Sequence, residues 1–351
     1  MIDIHELKPS EKKSFLKLWS KTFGDSKEEI LEFMTAFSDD IKCFSLTASD
    51  NKSDNKNDVL SALTLFKMGN LHIPCSKKSP EVFVSYAICT DEKCRGKGYG
   101  ASITNFASDY VTNYNNKIKK SSDDYSDNYS DDCSDDCFND CDAISILSPA
   151  SKSLVNFYKP LGYEPFFLSK YHSLEEISDK SMDLRLSEIS HSEYDKKREH
   201  YLEPFVHVSL SAKSLIYLSG YSKFLYFEIV EKSIKGIAVY SESSIEDEIL
   251  ISELLPVRIS SSSAREIDEN SGFLENFHLI SEKEIADIAN AITKTLGLKR
   301  CEYRTPAYCG NNFSDEIVQG MIFGDFDFIP NDGDEAENKL SYLPYLGFPF
   351  D

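Results

Sequence analysis

A short glycine-rich loop is the feature of this sequence that most constrains its fold and function. Residues 95–100 read Arg-Gly-Lys-Gly-Tyr-Gly, and they lie between a strand-like run, residues 82–90, and a helix-like run, residues 101–114. Glycines remove the side chains that would hold a ligand away from the backbone, and the free amides of a helix's first turn attract negative oxygens. The loop therefore predicts a site for a polyphosphate group.

Two common glycine-loop patterns fit this segment poorly. A P-loop requires Ser or Thr directly after Gly-Lys, but Gly98 follows Lys97, so no hydroxyl is placed to hold magnesium. A dinucleotide-binding fingerprint is nominally matched by Gly96, Gly98 and Ala101. That fingerprint normally follows the first strand of a βαβ unit, whereas this loop follows several predicted strands. The dinucleotide interpretation stays open as the weaker alternative.

A third pattern, Arg/Gln-x-x-Gly-x-Gly/Ala, is filled by Arg95, Gly98 and Gly100. It resembles the acetyl-CoA pyrophosphate loop of the GCN5-related N-acetyltransferases. Residues 86–90 are similar to that family's central strand, and residues 154–165, Leu-Val-Asn-Phe-Tyr-Lys-Pro-Leu-Gly-Tyr-Glu-Pro, are similar to its second motif, in which a helix ends at Phe-Tyr-x-x-Leu-Gly-Phe/Tyr. Either motif alone is most often a turn or a packing element, so their occurrence together in the family's order carries the resemblance.

The resemblance implies an α/β (α+β) acyltransferase fold with a mixed, mostly antiparallel sheet flanked by helices. Hydrophobic periodicity agrees with this order of elements. It predicts helices at residues 10–23 and 27–37, strands at 41–46, 59–67, 71–73 and 82–90, and then a strand at 143–147, a helix ending at Tyr158 and a strand at 163–168. We therefore assign residues 1–170 to an acetyltransferase domain.

The second half of the chain shows a similar order of elements. Strands are predicted at residues 224–231, 234–240 and 248–255, followed by a helix at 282–296 and a strand at 299–304. No Arg-x-x-Gly-x-Gly follows Leu255. A chain of 351 residues exceeds what one hydrophobic core usually supports. We therefore predict that residues 171–351 form a second, smaller domain of the same kind, without a CoA phosphate loop. Its predicted role is to complete or cover the acceptor cleft.

The resemblance also implies roles for individual residues. The central strand of the family splays at the position of Ala87 and Ile88, where the backbone can orient a thioester carbonyl. Tyr158 occupies the position of the general acid, whose phenol, with a pKa of about 10, can protonate the departing thiolate. Glu81, a carboxylate of the second domain acting through water, and Asp351 are candidates for the general base. The implied cofactor-binding residues are Ile88, Cys89, Thr90, Arg95, Gly96, Lys97, Gly98, Tyr99, Gly100, Ala101 and Asn156.

The activity that follows from the resemblance is direct transfer of an acetyl group from acetyl-CoA to a primary amine, with both substrates bound at once. The acceptor would be an amine-bearing small molecule or peptide. The alternative is a non-catalytic, acyl-CoA-binding regulatory protein, because a fold and a cofactor site do not prove catalysis.

Charge and composition restrict the partners. The formal net charge of -21 argues against a nucleic acid, whose binding requires a basic surface, and it permits a cationic acceptor. No apolar run approaches 18 residues and the N-terminus lacks the layout of a signal peptide, so we expect a cytoplasmic protein without a membrane partner. The sequence predicts no particular oligomeric state.

An acidic tract interrupts the first domain. Between Ser121 and Asp142 there are nine Asp and no Lys or Arg, which predicts a disordered insertion over residues 119–142. Cys133, Cys137 and Cys141 repeat every four residues in this tract, but zinc sites usually have tighter Cys pairs or histidines. We therefore expect no metal, and the odd total of nine cysteines indicates free thiols.

Overall fold

The computed structural model describes residues 2–48, 58–74, 76, 78–126, 143–178, 182–243, 245–258, 280–307, 309, 316–324 and 344–347. The chain forms two compact units, each with its own run of neighbouring strands. The first unit comprises residues 1–71, 76–165 and 320–325, and the second comprises residues 72–75, 166–319 and 326–351. The assignment of function to domains 1–170 and 171–351 stays a prediction.

The described strands are β1 (Ile2–Glu6), β2 (Ile41–Ala48), β3 (Val59–His72), β4 (Glu81–Thr90), β5 (Ala143–Leu147), β6 (Tyr163–Leu174), β7 (Arg185–Ile189), β8 (His207–Leu210), β9 (Lys223–Ile229), β10 (Ile234–Glu242), β11 (Glu248–Arg258), β12 (Arg300–Pro306) and β13 (Glu316–Phe323). The described α-helices are α1 (Lys12–Phe23), α2 (Lys27–Ala36), α3 (Tyr99–Ser126), α4 (Lys152–Tyr158), α5 (His191–Leu202), α6 (Ala212–Leu218) and α7 (Glu282–Thr295).

The sheet of the first unit has the strand order β1-β2-β3-β4-β5-β13. Neighbouring strands are antiparallel, except that β4 and β5 are parallel. The last strand of this sheet comes from the far end of the chain, where Met321 lies opposite Leu147. A fragment that ends at residue 170 would therefore lack one strand of the first unit.

Helices cover both faces of this sheet because successive side chains of a strand point in opposite directions. On one face α3 packs on a core that is buried from water; its members are Phe44, Leu46, Leu63, Leu65, Phe83, Ile103, Ala107, Val111 and Ala143. On the other face α1 and α2 contribute Trp19 and Phe33, whose rings lie 5.7 and 5.2 Å from that of Tyr86 on β4. Both cores immobilise β4, which positions the loop that follows it.

The second unit repeats this arrangement with the order β7-β9-β10-β11-β12-β6. Here too the neighbouring strands are antiparallel, except for one parallel pair, β11 and β12. The helix α7 follows β11 and precedes β12, as α3 follows β4 and precedes β5. The fold class predicted from the sequence, a mixed and mostly antiparallel sheet flanked by helices, is confirmed.

Three elements within residues 1–170 differ from the sequence-based expectations, and in the rest of the chain five elements were not predicted: β7, β8, β13, α5 and α6. The strands predicted at residues 59–67 and 71–73 form the single strand β3, which continues through Gly69 with a shift in register against β4 after Lys67. Strand β1 was not predicted, because five residues at an edge carry little periodic signal. Helix α3 continues to Ser126, so residues 119–126, which were predicted to be disordered, are helical. Extending an existing helix is easy, since each added residue gains one hydrogen bond.

Residues 127–142, with Cys133, Cys137 and Cys141, lie outside the described residues. None of the helices in the described ranges combines the length and the hydropathy that a transmembrane span requires.

Candidate functional site

The glycine-rich loop adopts a conformation that only glycine adopts readily. It follows a short 3₁₀ turn, Glu92–Cys94, in which the Asp91 side chain accepts a hydrogen bond of 2.9 Å from the Lys93 amide. Gly96 and Gly98 have φ angles of +76° and +80°, and a Cβ at either position would meet no atom within 4 Å. The two glycines are therefore required by backbone conformation, and they leave open space beside the loop.

The loop ends at the N-terminus of α3. The first hydrogen bond of the helix runs from the Ser102 amide to the Gly98 carbonyl, over 2.9 Å. The amides of residues 98–101 come before Ser102, so helix geometry provides these four amides with no acceptor inside the helix. The side chains of Arg95 and Lys97 are exposed beside this turn. The structure thus brings together, at one positively polarised helix end, the predicted residues Arg95, Gly96, Lys97, Gly98, Tyr99, Gly100 and Ala101.

Gly100 marks the point where both sequence motifs meet. A Cβ there would lie 3.4 Å from the Thr90 Oγ1 at the end of β4 and 3.7 Å from the Phe157 Cζ on α4. The Thr90 hydroxyl is held in turn by the Ser61 hydroxyl of β3 at 2.9 Å. The end of the central strand, the loop and the second-motif helix therefore converge on the first turn of α3.

Strand β4 contains a bulge at the predicted splay. Ala62 lies opposite Cys89 and Thr64 lies opposite Tyr86, so two residues of β4 face one residue of β3. At this point Ala87 has a φ of +51°, in the left-handed region. Such a conformation costs a non-glycine residue about 1–2 kcal/mol, and it is typical of functional sites.

Beyond the middle of β4 its pairing with β5 ends. The parallel register covers Glu81–Val84 of β4 and finishes at the pair Val84 and Ile146, whereas β4 continues to Thr90. The bulge and the end of the pairing together leave a length of strand edge whose backbone groups can bind an extended ligand. This edge leads to the first turn of α3.

Tyr158 lies at the end of α4, with 7% of its surface exposed. Burial raises the pKa of its phenol to about 12, and nearby Tyr163 adds to the increase. The ordinary value of about 10 assumed for the general acid is therefore wrong, because the sequence did not reveal how deeply the ring is buried. The phenol stays protonated over the whole physiological range, so it remains a hydrogen-bond donor.

Three other predicted cofactor-binding residues have side chains that are buried or packed against the core, so only their backbone groups are available to a ligand; they are Ile88, Cys89 and Tyr99. Burial raises the pKa of the Cys89 thiol to about 12, which leaves it un-ionised and unsuited to act as a nucleophile. The side chains of Ile88 and Tyr99 pack against the core beneath α3. Asn156, in contrast, is exposed on α4.

Glu81 is not placed to act as the base. It begins β4, six residues before Ala87, which is about 20 Å of extended strand. Its carboxylate forms an ion pair with Lys67 and accepts a hydrogen bond of 2.8 Å from the Tyr114 hydroxyl. We therefore discard Glu81 as the base; another candidate, Asp351, lies outside the described residues.

Sequence reasoning missed two supports of the site. Ser61 donates to the Cys89 carbonyl at 2.8 Å as well as contacting Thr90, and it thereby fixes the end of β4. Lys21, on α1, forms an ion pair of 3.0 Å with Glu92 in the turn before the loop. Neither contact has a local signal in the sequence, because each depends on pairing between distant segments.

In the second unit the equivalent helix end is already occupied. At the start of α7, the Ser281 side chain accepts from the Glu284 amide while the Glu284 side chain accepts from the Ser281 amide. Arg258 also contacts the Glu284 carboxylate, at 2.9 Å. A helix end capped by its own carboxylates repels phosphate, so the start of α7 offers no phosphate site. Residues 259–279, which precede it, lie outside the described residues, and the absence of a CoA phosphate loop from the second half stays a prediction.

The strand edge beyond the parallel pair of the second unit is also filled. The register between β11 and β12 ends at Ile251 and Tyr303. Glu253 follows on β11, is fully buried, and accepts a hydrogen bond of 3.2 Å from the Arg198 Nε. A Cβ at Gly347 would lie 3.2 Å from the Glu253 Oε1, so Gly347, in the described segment 344–347, packs against this part of β11.

Comparison with solved structures gives the class of fold. A probable N-acyltransferase from Enterococcus faecalis V583 superposes with a TM-score of 0.55 at 12% identity, covering 92% of this chain and 72% of that one. GCN5-related N-acetyltransferases from Kribbella flavida and Anabaena variabilis each give a TM-score of 0.51, at 13% and 9% identity, covering 92% of this chain and 71% and 72% of theirs. No protein-family model and no curated protein matches the sequence.

The chain therefore has the fold of the GCN5-related N-acetyltransferases, and the resemblance found in its two motifs is confirmed at the level of the fold. The dinucleotide interpretation of the loop is wrong, because the loop follows the fourth strand of a mostly antiparallel sheet.

Proposed function

We propose that this protein is an N-acetyltransferase that transfers an acetyl group from acetyl-CoA to a primary amine, with both substrates bound at once. One observation carries the proposal: the bulged end of β4, the basic glycine loop and the second-motif helix meet at Gly100. A ligand that combines a polyphosphate with an extended arm fits this combination of an open helix end and an unpaired strand edge.

The residues present fit acetyl-CoA, which supplies an acetyl group activated as a thioester. Arg95, Lys97 and the free amides at the start of α3 would hold the pyrophosphate by charge and hydrogen bonds. The glycines of the loop allow this close approach, since a side chain at Gly98 would enter the space that the phosphates need. The backbone of β4 beyond Val84 would pair with the amides of the extended arm.

Two features of the chain would promote acyl transfer. Backbone amides at the bulge beside Ala87 and Ile88 would donate to the carbonyl oxygen of the thioester, where negative charge develops as the amine attacks the carbonyl carbon. As the carbon–sulfur bond breaks, the Tyr158 hydroxyl would donate a hydrogen bond to the sulfur. The attacking amine would lose its proton to solvent, and the departing thiolate would take up a proton to leave as free CoA. Because its pKa is about 12, Tyr158 stabilises the leaving thiolate mainly as a hydrogen-bond donor.

The proposed acceptor is an amine-bearing small molecule or peptide. The net charge of -21 favours a cationic one, because a negative protein attracts ammonium groups over long range.

A non-catalytic acyl-CoA-binding protein is the second candidate, and the burial of Tyr158 favours it, since a buried phenol also serves as core packing. Release of free CoA only when an amine is added would establish the enzyme. Tight binding without release for any amine of a broad set would establish the regulatory protein.

The first experiment is calorimetric titration of the whole protein with acetyl-CoA. We expect micromolar binding that is lost in Gly98→Trp, whose side chain fills the pyrophosphate space. Gly297→Trp is the matched control, because Gly297 also has a left-handed φ, +79°, and open space around it, but lies after α7 in the second unit. Absence of binding by the intact protein, or equal binding by Gly98→Trp, would contradict the proposal.

A further inference from the structure

Phe157 combines an exposed ring with a position beside the proposed phosphate site. It is 40% exposed, whereas its neighbour Tyr158 is buried. We propose that the Phe157 ring forms a wall of the cofactor cleft and packs against the pantoate part of CoA, the apolar segment that directly follows the pyrophosphate. This inference rests on the proposed function and assigns a further positioning residue to it.

The contact at Gly100 fixes where the ring lies. The Phe157 Cζ is 3.7 Å from the position of a Cβ at Gly100, and the Thr90 Oγ1 is 3.4 Å from that position. The phenyl ring and the end of β4 therefore both lie beside the first turn of α3 at Gly100. A ligand that reaches the free amides of this turn must pass beside the ring.

The chemistry of the ring indicates which part of the ligand it contacts. A phenyl group offers nothing to a phosphate, but it stabilises an apolar group by removing both surfaces from water. The rings of Phe157 and Tyr158 have centroids 5.1 Å apart, so Phe157 neighbours both the start of α3 at Gly100 and the residue proposed to contact the sulfur. The part of CoA that bridges these two points is the pantetheine arm, and its first segment carries two methyl groups on one carbon.

The direction of the pantetheine arm indicates that the Phe157 ring contacts this arm and does not stack on the adenine base of CoA. The adenine lies on the other side of the pyrophosphate from the thioester, whereas α4 leads from Phe157 to Tyr158. The ring is therefore expected to contribute to the affinity for the arm and not to the affinity for the nucleotide.

The test compares two ligands on the full chain by calorimetry: CoA, and 3′-phospho-ADP, which has the nucleotide and pyrophosphate but no arm. We expect Phe157→Ala to weaken CoA binding about tenfold and to leave the dissociation constant of 3′-phospho-ADP unchanged. Phe157→Leu, which keeps most of the apolar bulk, should lie between Phe157→Ala and the wild type for CoA. The matched control is Phe23→Ala, which removes a phenyl of 49% exposure from the end of α1.

Each outcome distinguishes the inference from the proposed function. Unchanged CoA affinity in Phe157→Ala would overturn the inference while the cofactor site stands. Equal weakening of both ligands would also overturn it, because the ring would then contact the nucleotide. If the wild type bound neither ligand, both the proposed function and this inference would be wrong. Thermal melting of each variant verifies folding, and the Leu variant supplies the answer if the Ala variant unfolds.

Discussion

The ring of Tyr158 packs edge-on against the ring of Tyr163, with centroids 6.1 Å apart and planes inclined at 63°. The Tyr163 hydroxyl is held by Ser108 of α3 at 3.0 Å and by Ser145 of β5 at 2.9 Å. Tyr163 is fully buried, so it offers Tyr158 a fixed surface. The proposed acid is thereby held at one place, with its phenol protonated at neutral pH.

Replacing Tyr158 by Phe should lower turnover about 100-fold or more while leaving the dissociation constant of acetyl-CoA within about threefold, because the lost hydroxyl acts only as the sulfur departs. Steady-state kinetics with the acceptor found in an amine screen, together with calorimetry, separate the two effects. Tyr201→Phe, which removes the hydroxyl of another buried tyrosine, is the control. A turnover number unaffected by Tyr158→Phe would assign Tyr158 to packing alone.

The raised pKa of Tyr158 predicts a loss of stability at alkaline pH. The folded pKa is about 12 and the ordinary value is 10.0, so the unfolded state ionises first as the pH rises. Tyr158 therefore destabilises the folded state progressively above pH 10, by about 1.4 kcal/mol at pH 11. Urea unfolding of the wild type and Tyr158→Phe at pH 8 and pH 11 measures this difference. Equal losses in the two proteins would show that the phenol titrates normally.

The left-handed bulge at Ala87 predicts that stability is much less sensitive to a glycine than to a valine at this position. Ala87→Gly removes the strain of a φ of +51° but also a buried methyl group, so its free energy of unfolding should stay within about 1 kcal/mol of the wild type. Ala87→Val should lose about 2 kcal/mol or more, because a β-branched side chain is poorly tolerated in the left-handed region. Chemical denaturation measures both values. If Val were tolerated as well as Gly, the bulge would have another backbone conformation.

The contacts of Glu81 predict a structural role. Glu81→Gln should lower stability by up to about 1 kcal/mol, since it removes a partly exposed ion pair with Lys67 but keeps an acceptor for Tyr114. Turnover should not change. A double-mutant cycle with Lys67→Met isolates the ion pair. A large fall in turnover at constant stability would restore Glu81 as a candidate base.

The amino-acid sequence by itself determined the local features of this protein. Glycines at residues 96 and 98 permit the left-handed turn, the residues that follow form a helix, and periodicity predicted most of the strands and helices within residues 1–170. These features depend on neighbouring residues alone, and together with the resemblance of the two motifs they were sufficient to predict the fold class.

Only the tertiary structure decided which distant residues meet. The bulge at Ala87 depends on the register between β3 and β4, the contact of Phe157 with Gly100 depends on how α4 packs beside α3, and the pKa of Tyr158 depends on how deeply its ring is buried. The same holds for the strand that the first unit takes from residues 320–325. Strand register and burial arise from contacts between segments far apart in the chain, so no local pattern encodes them.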